Sequence, residues 1–292
     1  MARLAEVEAR IASMGGLLEV VGAMRSLAGM RLQDAQRALP AARRYAQGIS
    51  TAIAAALGMA REPPAQPHDR TDGRLVVLYA AEHGFVGAFN ERLLAAAQAS
   101  LSPQDGLFVL GSRAAVLAAE RGVQAAWTSP MAARPANVPE TVRRLTDELY
   151  RRIAQGELSQ VDLVYAPHDP AGFAAPQRRK LIPVDLTALA SAAPRDSPLS
   201  NLAPGVLLEE LTAEYVFALL AQAALESLAG ENAARFAAMT AARDNVSKRL
   251  DGLRGTARQM RQSEITTELL DIVTGAEALE TRSSGGSGGS KT

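Results

Sequence analysis

Apolar residues recur with a heptad step at both ends of this chain, and that constrains the fold more than any other feature. From Val246 the series Val246, Leu250, Leu253, Ala257, Met260 advances by 4, 3, 4, 3. It resumes from Ile265 as Leu269, Ile272, Ala276, Leu279, again 4, 3, 4, 3. Near the start, Leu4, Val7, Ile11, Met14, Leu18, Val21 advance by 3, 4, 3, 4, 3. Such a helix shows one narrow apolar stripe and requires another helix against it. Pro204 marks the front edge of the later helix, where proline is tolerated, and no proline comes after it. A helix from Gly205 to Glu280 would be ~110 Å long at 1.5 Å per residue, longer than an ordinary globular core. The irregular step between Met260 and Ile265 is the kind that locally unwinds a coiled coil.

The N-terminal helix is expected over about Arg3 to Leu57. Pro40 predicts a kink or a short break in it. Gly15, Gly16, Gly22 and Gly29 each cost about 1 kcal/mol against alanine. They allow close approach of a neighbour, so this helix is read as needing the C-terminal one beside it.

Between the helices the period changes. Residues 61–73 (REPPAQPHDRTDG) read as a linker. Short apolar runs at Leu75–Ala80, Leu107–Leu110, Val123–Trp127 and Val161–Tyr165 read as buried strands, with an edge strand over Arg179–Asp185 because Pro183 cannot sit mid-sheet. Helices are expected over Glu91–Ala99, Arg113–Arg121 and Pro139–Ala154. Alternating strands and helices imply a small α/β domain with a largely parallel sheet. The expected organisation is residues 1–60 as coiled-coil helix, 61–73 linker, 74–186 α/β domain, 187–204 linker, 205–282 coiled-coil helix and 283–292 a flexible Gly/Ser tail. The fold class is α/β plus coiled coil: an antiparallel pair of terminal helices carrying an inserted, Rossmann-like domain.

Composition narrows the chemistry. Thirty-one basic residues balance 31 acidic ones, which argues against a globally basic nucleic-acid binder. Aromatics are 4%, too few for base-stacking platforms. With no cysteine, thiolate metal sites and cysteine nucleophiles are excluded. No run is read as approaching bilayer-spanning length, and the N-terminus carries acids early and shows no apolar signal core. The three histidines, His68, His83 and His168, lie far apart, so no metal or cofactor site is expected. Gly84-Phe85-Val86-Gly87 comes after a strand, but matches neither dinucleotide nor P-loop spacing. Its glycines are read as serving a tight turn, and Glu82 and His83 beside it are given no catalytic role. Two charged groups remain: Arg25 with Arg31, and the trio Arg254, Arg258, Arg261. Steps of 4 and 3 put the trio on one side of its helix. Arg261-Gln262 interrupts a seam instead of flanking it, which suggests a polar contact to a partner.

Residues 261–276, RQSEITTELLDIVTGA, resemble the C-terminal signature of the gamma subunit of F-type ATP synthase, RQ-x-x-IT-x-E-[LI]-x-[ED]-IV-x-GA. Upstream, Glu231-Asn232-Ala233-Ala234-Arg235-Phe236 and Asp244-Asn245 are similar to its E-x-x-x-R-[MF]-x-AM…DN. Ala23-Met24-Arg25 with Ala28-Gly29-Met30-Arg31-Leu32 resembles its N-terminal motif, and residues 82–90, EHGFVGAFN, resemble its DRGLCGGFN. Gly22 stands where a Lys is usual, Ser26 where a Met is usual, and Glu82-His83 where Asp-Arg is usual, so the resemblance is to a divergent member.

The resemblance implies a central shaft without catalytic residues, whose terminal helices pair inside a hexamer of alpha and beta subunits. Its α/β domain would face the epsilon subunit and the c-ring, at the cytoplasmic face of a bacterial plasma membrane. The positions matching Arg261, Gln262, Thr266 and Glu268 are implied to meet beta-subunit loops or to support the shaft. Met24, Arg25 and Arg235 match positions where the two helices and the beta subunit come together. From the residues alone, a structural coiled-coil tether stays open as the alternative. A nucleotide-dependent enzyme on the α/β domain would need a phosphate loop that the sequence does not show.

Overall fold

The computed structural model describes residues 2–59, 73–169, 175–190 and 200–284. Of the expected linkers, residues 61–72 of 61–73 and 191–199 of 187–204 lie outside them, as does the tail from 285. Helix α1 spans Ala2–Met59 and helix α6 spans Pro204–Ser284. Between them come β1 (Arg74–Tyr79), α2 (Phe89–Ser100), β2 (Gly106–Leu110), α3 (Ser112–Glu120), β3 (Trp127–Ser129), α4 (Val138–Ala154), β4 (Gln160–Tyr165), β5 (Gln177–Ile182) and a short α5 (Leu186–Ala190). Two compact units result: Met1–Met24 with Met239–Thr292, and Arg25–Ala238.

In the first unit the seam residues turn inward. Val21, Leu250 and Ala257 are buried, and Leu4, Val7, Ile11, Met14, Leu18, Val246, Leu253 and Met260 are half-buried. Glu8, early in α1, meets Arg261, far along α6, as an antiparallel pair requires. The second half of the α6 seam departs from expectation. Ile265, Leu269 and Ile272 are 52%, 58% and 67% exposed, and Ala276 is exposed; the Leu279 side chain lies outside those described. Arg261 already meets Glu8 near the start of α1, so few residues of α1 are left to cover the α6 seam from Ile265 onward.

In the second unit α1 keeps its heptad face. Ala28, Ala35, Leu39, Ala46, Ile49 and Ile53 are buried, and pack, apart from Ala28, in one cluster with Leu208 to Ala229 of α6. Arg43 bonds Glu226 and Tyr45 bonds Glu214, so the helices again run antiparallel. Pro40 does not break α1, contrary to expectation. Pro40 is exposed beside buried Leu39, as is Gln36 one turn earlier, the residue whose carbonyl loses its partner. The glycines also behave differently from the close-approach reading: a Cβ at Gly15, Gly16 or Gly22 would meet nothing, and one at Gly29 would make only ordinary contact with Phe236 at 3.5 Å. From Ala223 to Asn232 every residue of α6 is buried. A helix buried all round runs through a core instead of lying along it.

The sheet order is β3-β2-β1-β4-β5, with the first four strands parallel and β5 antiparallel. Side chains alternate along β1. Val76 and Leu78 pack toward α2 and α3, whereas Leu75, Val77 and Tyr79 join α1, α4 and α6. β3 begins at Trp127, later than the Val123–Trp127 expectation, and Pro183 falls just after β5. α5 occupies part of the stretch read as linker. The reading of bilayer-spanning runs also needs correction. Both long helices are long and apolar enough, by length and composition, to pass as membrane spans; the apolar window in α6 is 56% buried and that in α1 is 11% buried.

Candidate functional site

In an open parallel sheet, ligands bind beyond the carboxyl ends of the strands where the strand order reverses. Here that place lies between β1 and β4. Helix α6 occupies it. Ser227 Oγ donates to the Tyr79 carbonyl at 3.0 Å, at the end of β1. Gly230 lies against the end of β4: a Cβ there would sit 2.1 Å from the Ala166 carbonyl oxygen. Only glycine permits this approach.

One turn on, Arg235 takes hold of the loop after β1. Its guanidinium donates to the His83 carbonyl at 3.1 Å and the Gly84 carbonyl at 3.2 Å. It also donates to Asn232 Oδ1 at 3.0 Å and to Glu231 Oε1 at 2.5 Å. Burial pushes the Glu231 carboxyl up, against the pull of Arg235. The next residue, Phe85, is 66% exposed with φ 62°, a left-handed conformation that costs a side-chain-bearing residue energy. So the turn is not made by its glycines alone, contrary to expectation. Glu82 ties the same loop to the rest of the sheet, accepting bonds from Ser112 Oγ (2.7 Å), Ser112 N (3.0 Å) and Met131 N (2.8 Å). Burial pushes its carboxyl up, but these bonds outweigh that and hold it below the ordinary range.

The residues singled out in sequence fall into separate places. Arg235 is buried in the clasp just described. Arg25 is half-buried; its guanidinium lies 5.6 Å from the Phe236 ring centre, and its Nε is buried without a partner. Arg31 Nε is likewise orphaned. Met24 is half-buried. Arg254 and Arg258 are exposed, with Arg254 3.6 Å from Asp251. Arg261 Nη2 donates to Glu8 Oε1 at 2.5 Å, a bond inside the chain. Gln262 and Glu268 are exposed, and the Thr266 hydroxyl donates back to the Gln262 carbonyl at 2.9 Å. Around this polar step stand exposed Ile265, Leu269, Leu270, Ile272 and Val273.

Sequence reasoning missed the ion pair of Arg43 with buried Glu226, at 2.9 Å. It also missed Asp162, buried between Arg74 (2.9 Å) and Arg178 (2.8 Å). Neither pair is local in sequence, so neither leaves a spacing to read. The i,i+4 step from Glu231 to Arg235 was the one legible signal of the clasp.

A family model described as ATP synthase matches residues 3–279. The chain belongs to that family. Curated relatives are ATP synthase gamma chains: that of Bdellovibrio bacteriovorus is 28% identical, with 96% of this chain and 100% of the relative covered. That of Chlorobaculum tepidum is 26% identical with the same coverage, and that of Granulibacter bethesdensis 29%, again with 96% and 100% covered. Among solved structures, the rotor of the Euglena gracilis mitochondrial ATP synthase is similar with a TM-score of 0.61 at 13% identity, covering 90% of this chain and 99% of that one. A chain in the OSCP/F1/c-ring structure of the same enzyme gives 0.63 at 14%, covering 100% and 99%. At such identities the likeness shows the fold: long terminal helices around a small α/β region. The family assignment rests on residues 3–279, and the departures at Gly22, Ser26 and Glu82-His83 sit inside them.

Proposed function

We propose that this chain is the central rotor shaft, the gamma subunit, of a rotary F-type ATP synthase or ATPase. It couples ion flow through a membrane ring to ATP synthesis or hydrolysis in a catalytic hexamer, and holds no catalytic residue itself. The observation that carries this reading is the apolar end of α6. Ile265, Leu269, Leu270, Ile272 and Val273 stand exposed beside the polar Arg261–Glu268 step, on a chain 96% of which is covered by the match to a gamma chain. Apolar residues gathered in this way mark a surface that another protein covers. Alpha and beta subunits would supply that cover, and Gln262, Thr266, Glu268, Arg254 and Arg258 would supply polar contacts around it. The α/β domain would meet the epsilon subunit and the c-ring. The chain would then lie peripherally at the cytoplasmic face of a bacterial plasma membrane.

A shaft couples two distant sites because each angle offers a different set of contacts, and that difference is a coupling free energy. The filled crevice supports a non-catalytic role, because Gly230 and Ser227 take the space in which a nucleotide would approach β1 and β4. A simple tether would explain the paired helices but not the polar step at Arg261–Glu268.

The test is co-expression with alpha and beta subunits. The chain is expected to co-purify with them and to raise ATP turnover. Full turnover in complexes lacking it would remove the shaft role.

A further inference from the structure

We propose that the cleft between α1, α6 and β5, built around Arg43 and Arg179, binds a phosphate group. The cleft has a volume of about 220 Å³, below the roughly 300 Å³ where pockets for drug-sized ligands begin. It suits a small oxyanion and is too small to enclose a nucleotide.

One of its guanidiniums has a buried anchor. Glu226 is 6% exposed. Arg43 grips its Oε1 through Nη2 at 2.9 Å and Nε at 3.3 Å, and Gln222 Nε2 donates to the same oxygen at 3.1 Å. The Tyr165 side chain, at the end of β4, lies close to both Glu226 and Arg179. The Glu226 carboxylate holds Arg43 in place, so little of its side-chain entropy is left to lose when an anion arrives.

The balance of charge favours an anion. Arg43 and Arg179 carry two positive charges against the single negative charge of Glu226. Arg43 binds Glu226 by one edge only, its side chain is 58% exposed, and its Nη1 remains for another acceptor. Gln47 of α1 adds an amide at the wall, and Tyr215 closes one side. The polar lining groups come from three elements, α1, α6 and β5. Guanidinium presents a fork of donors matched to phosphate oxygens. The site needs no assembled complex, so it stands or falls apart from the rotor reading.

The experiment titrates the full chain with inorganic phosphate, followed by phosphorus NMR and thermal shift. In parallel, co-sedimentation uses phosphatidylcholine vesicles with and without phosphatidic acid. We expect saturable binding in the millimolar range, weakened about tenfold in Arg179→Gln, the scale of one charge-assisted hydrogen bond. Arg43 balances a buried carboxylate, so Arg43→Gln is expected to unfold more easily; Gln47→Leu removes a wall donor outside that pair and is expected to weaken binding with the fold intact. Binding of free phosphate identifies a soluble phosphate as ligand. Binding only to phosphatidic acid vesicles, lost in Arg179→Gln, identifies a lipid headgroup. No binding in either arm, or binding unchanged by Arg179→Gln and Gln47→Leu, overturns the proposal.

Discussion

Arg235 Nη2 lies 2.5 Å from Glu231 Oε1, and less than a tenth of either side chain is exposed. The same guanidinium holds the two carbonyls of the loop after β1. Removing one member of a buried ion pair strands the other. Arg235→Ala is therefore expected to destabilise the chain by about 3–5 kcal/mol, whereas replacing both residues with methionine should cost much less. Denaturant unfolding followed by circular dichroism checks this. Equal losses in the single and double variants would mean that the loop contacts dominate, not the charge pair.

Gly230→Ala tests the crevice. The added methyl would meet the Ala166 carbonyl oxygen at 2.1 Å, backbone that no rotamer change can relieve. We expect a loss of at least about 1–3 kcal/mol, read as a lowered denaturation midpoint. A neutral outcome would show that α6 does not sit this close to β4.

The polar step calls for a different kind of test. The Arg261–Glu8 pair is exposed on both sides, at 61% and 48%, and such pairs contribute about 0–1 kcal/mol. Arg261→Ala with Gln262→Ala should leave the chain folded and weaken coupled ion pumping in the assembled complex. Unchanged pumping would take both residues out of the coupling surface.

At the far end of α6, Leu269→Asp with Ile272→Asp alters two exposed positions. Stability of the isolated chain should move by no more than about 0.5 kcal/mol, while assembly with alpha and beta subunits falls. A large loss of stability in the isolated chain would mean that these residues are covered within it.

Acid titration reads the loop through Glu82. Its hydrogen bonds lower the folded-state carboxyl below the ordinary 4.5. A depressed carboxyl contributes stability that is complete above the unfolded value and lost as pH falls through the folded one. Glu82→Gln should flatten the pH dependence of stability below about 4.5. The same acid slope in wild type and variant would contradict it.

The long helices were legible because a seam is a local pattern: the residues from Leu4 to Val21 and from Val246 to Met260 turn inward as their spacing demands. Strands β1, β2 and β4 were legible as short apolar runs, whereas β3 overlaps its expected run only at Trp127 and β5 is mostly polar. The core passage of α6 was not. Ala223 to Asn232 is buried on every side by α1 and by an inserted sheet, and no periodicity within ten residues announces two neighbours on opposite faces. Pro40 misled for a related reason: its cost depends on which way the ring points, and the local sequence does not state that. Arg43–Glu226 and Asp162 with its two arginines depend on topology. The candidate site was legible only where its members share a helix, as Glu231 and Arg235 do.

Helix α6 plugs the mouth of the sheet, and its continuation carries the bare apolar tip. Prising the plug loose would require dragging one unbroken helix out of a glycine-tight notch between two strand ends. A parallel sheet built this way has lost its entrance and become a handle, so force applied to the domain passes straight into the backbone of the helix.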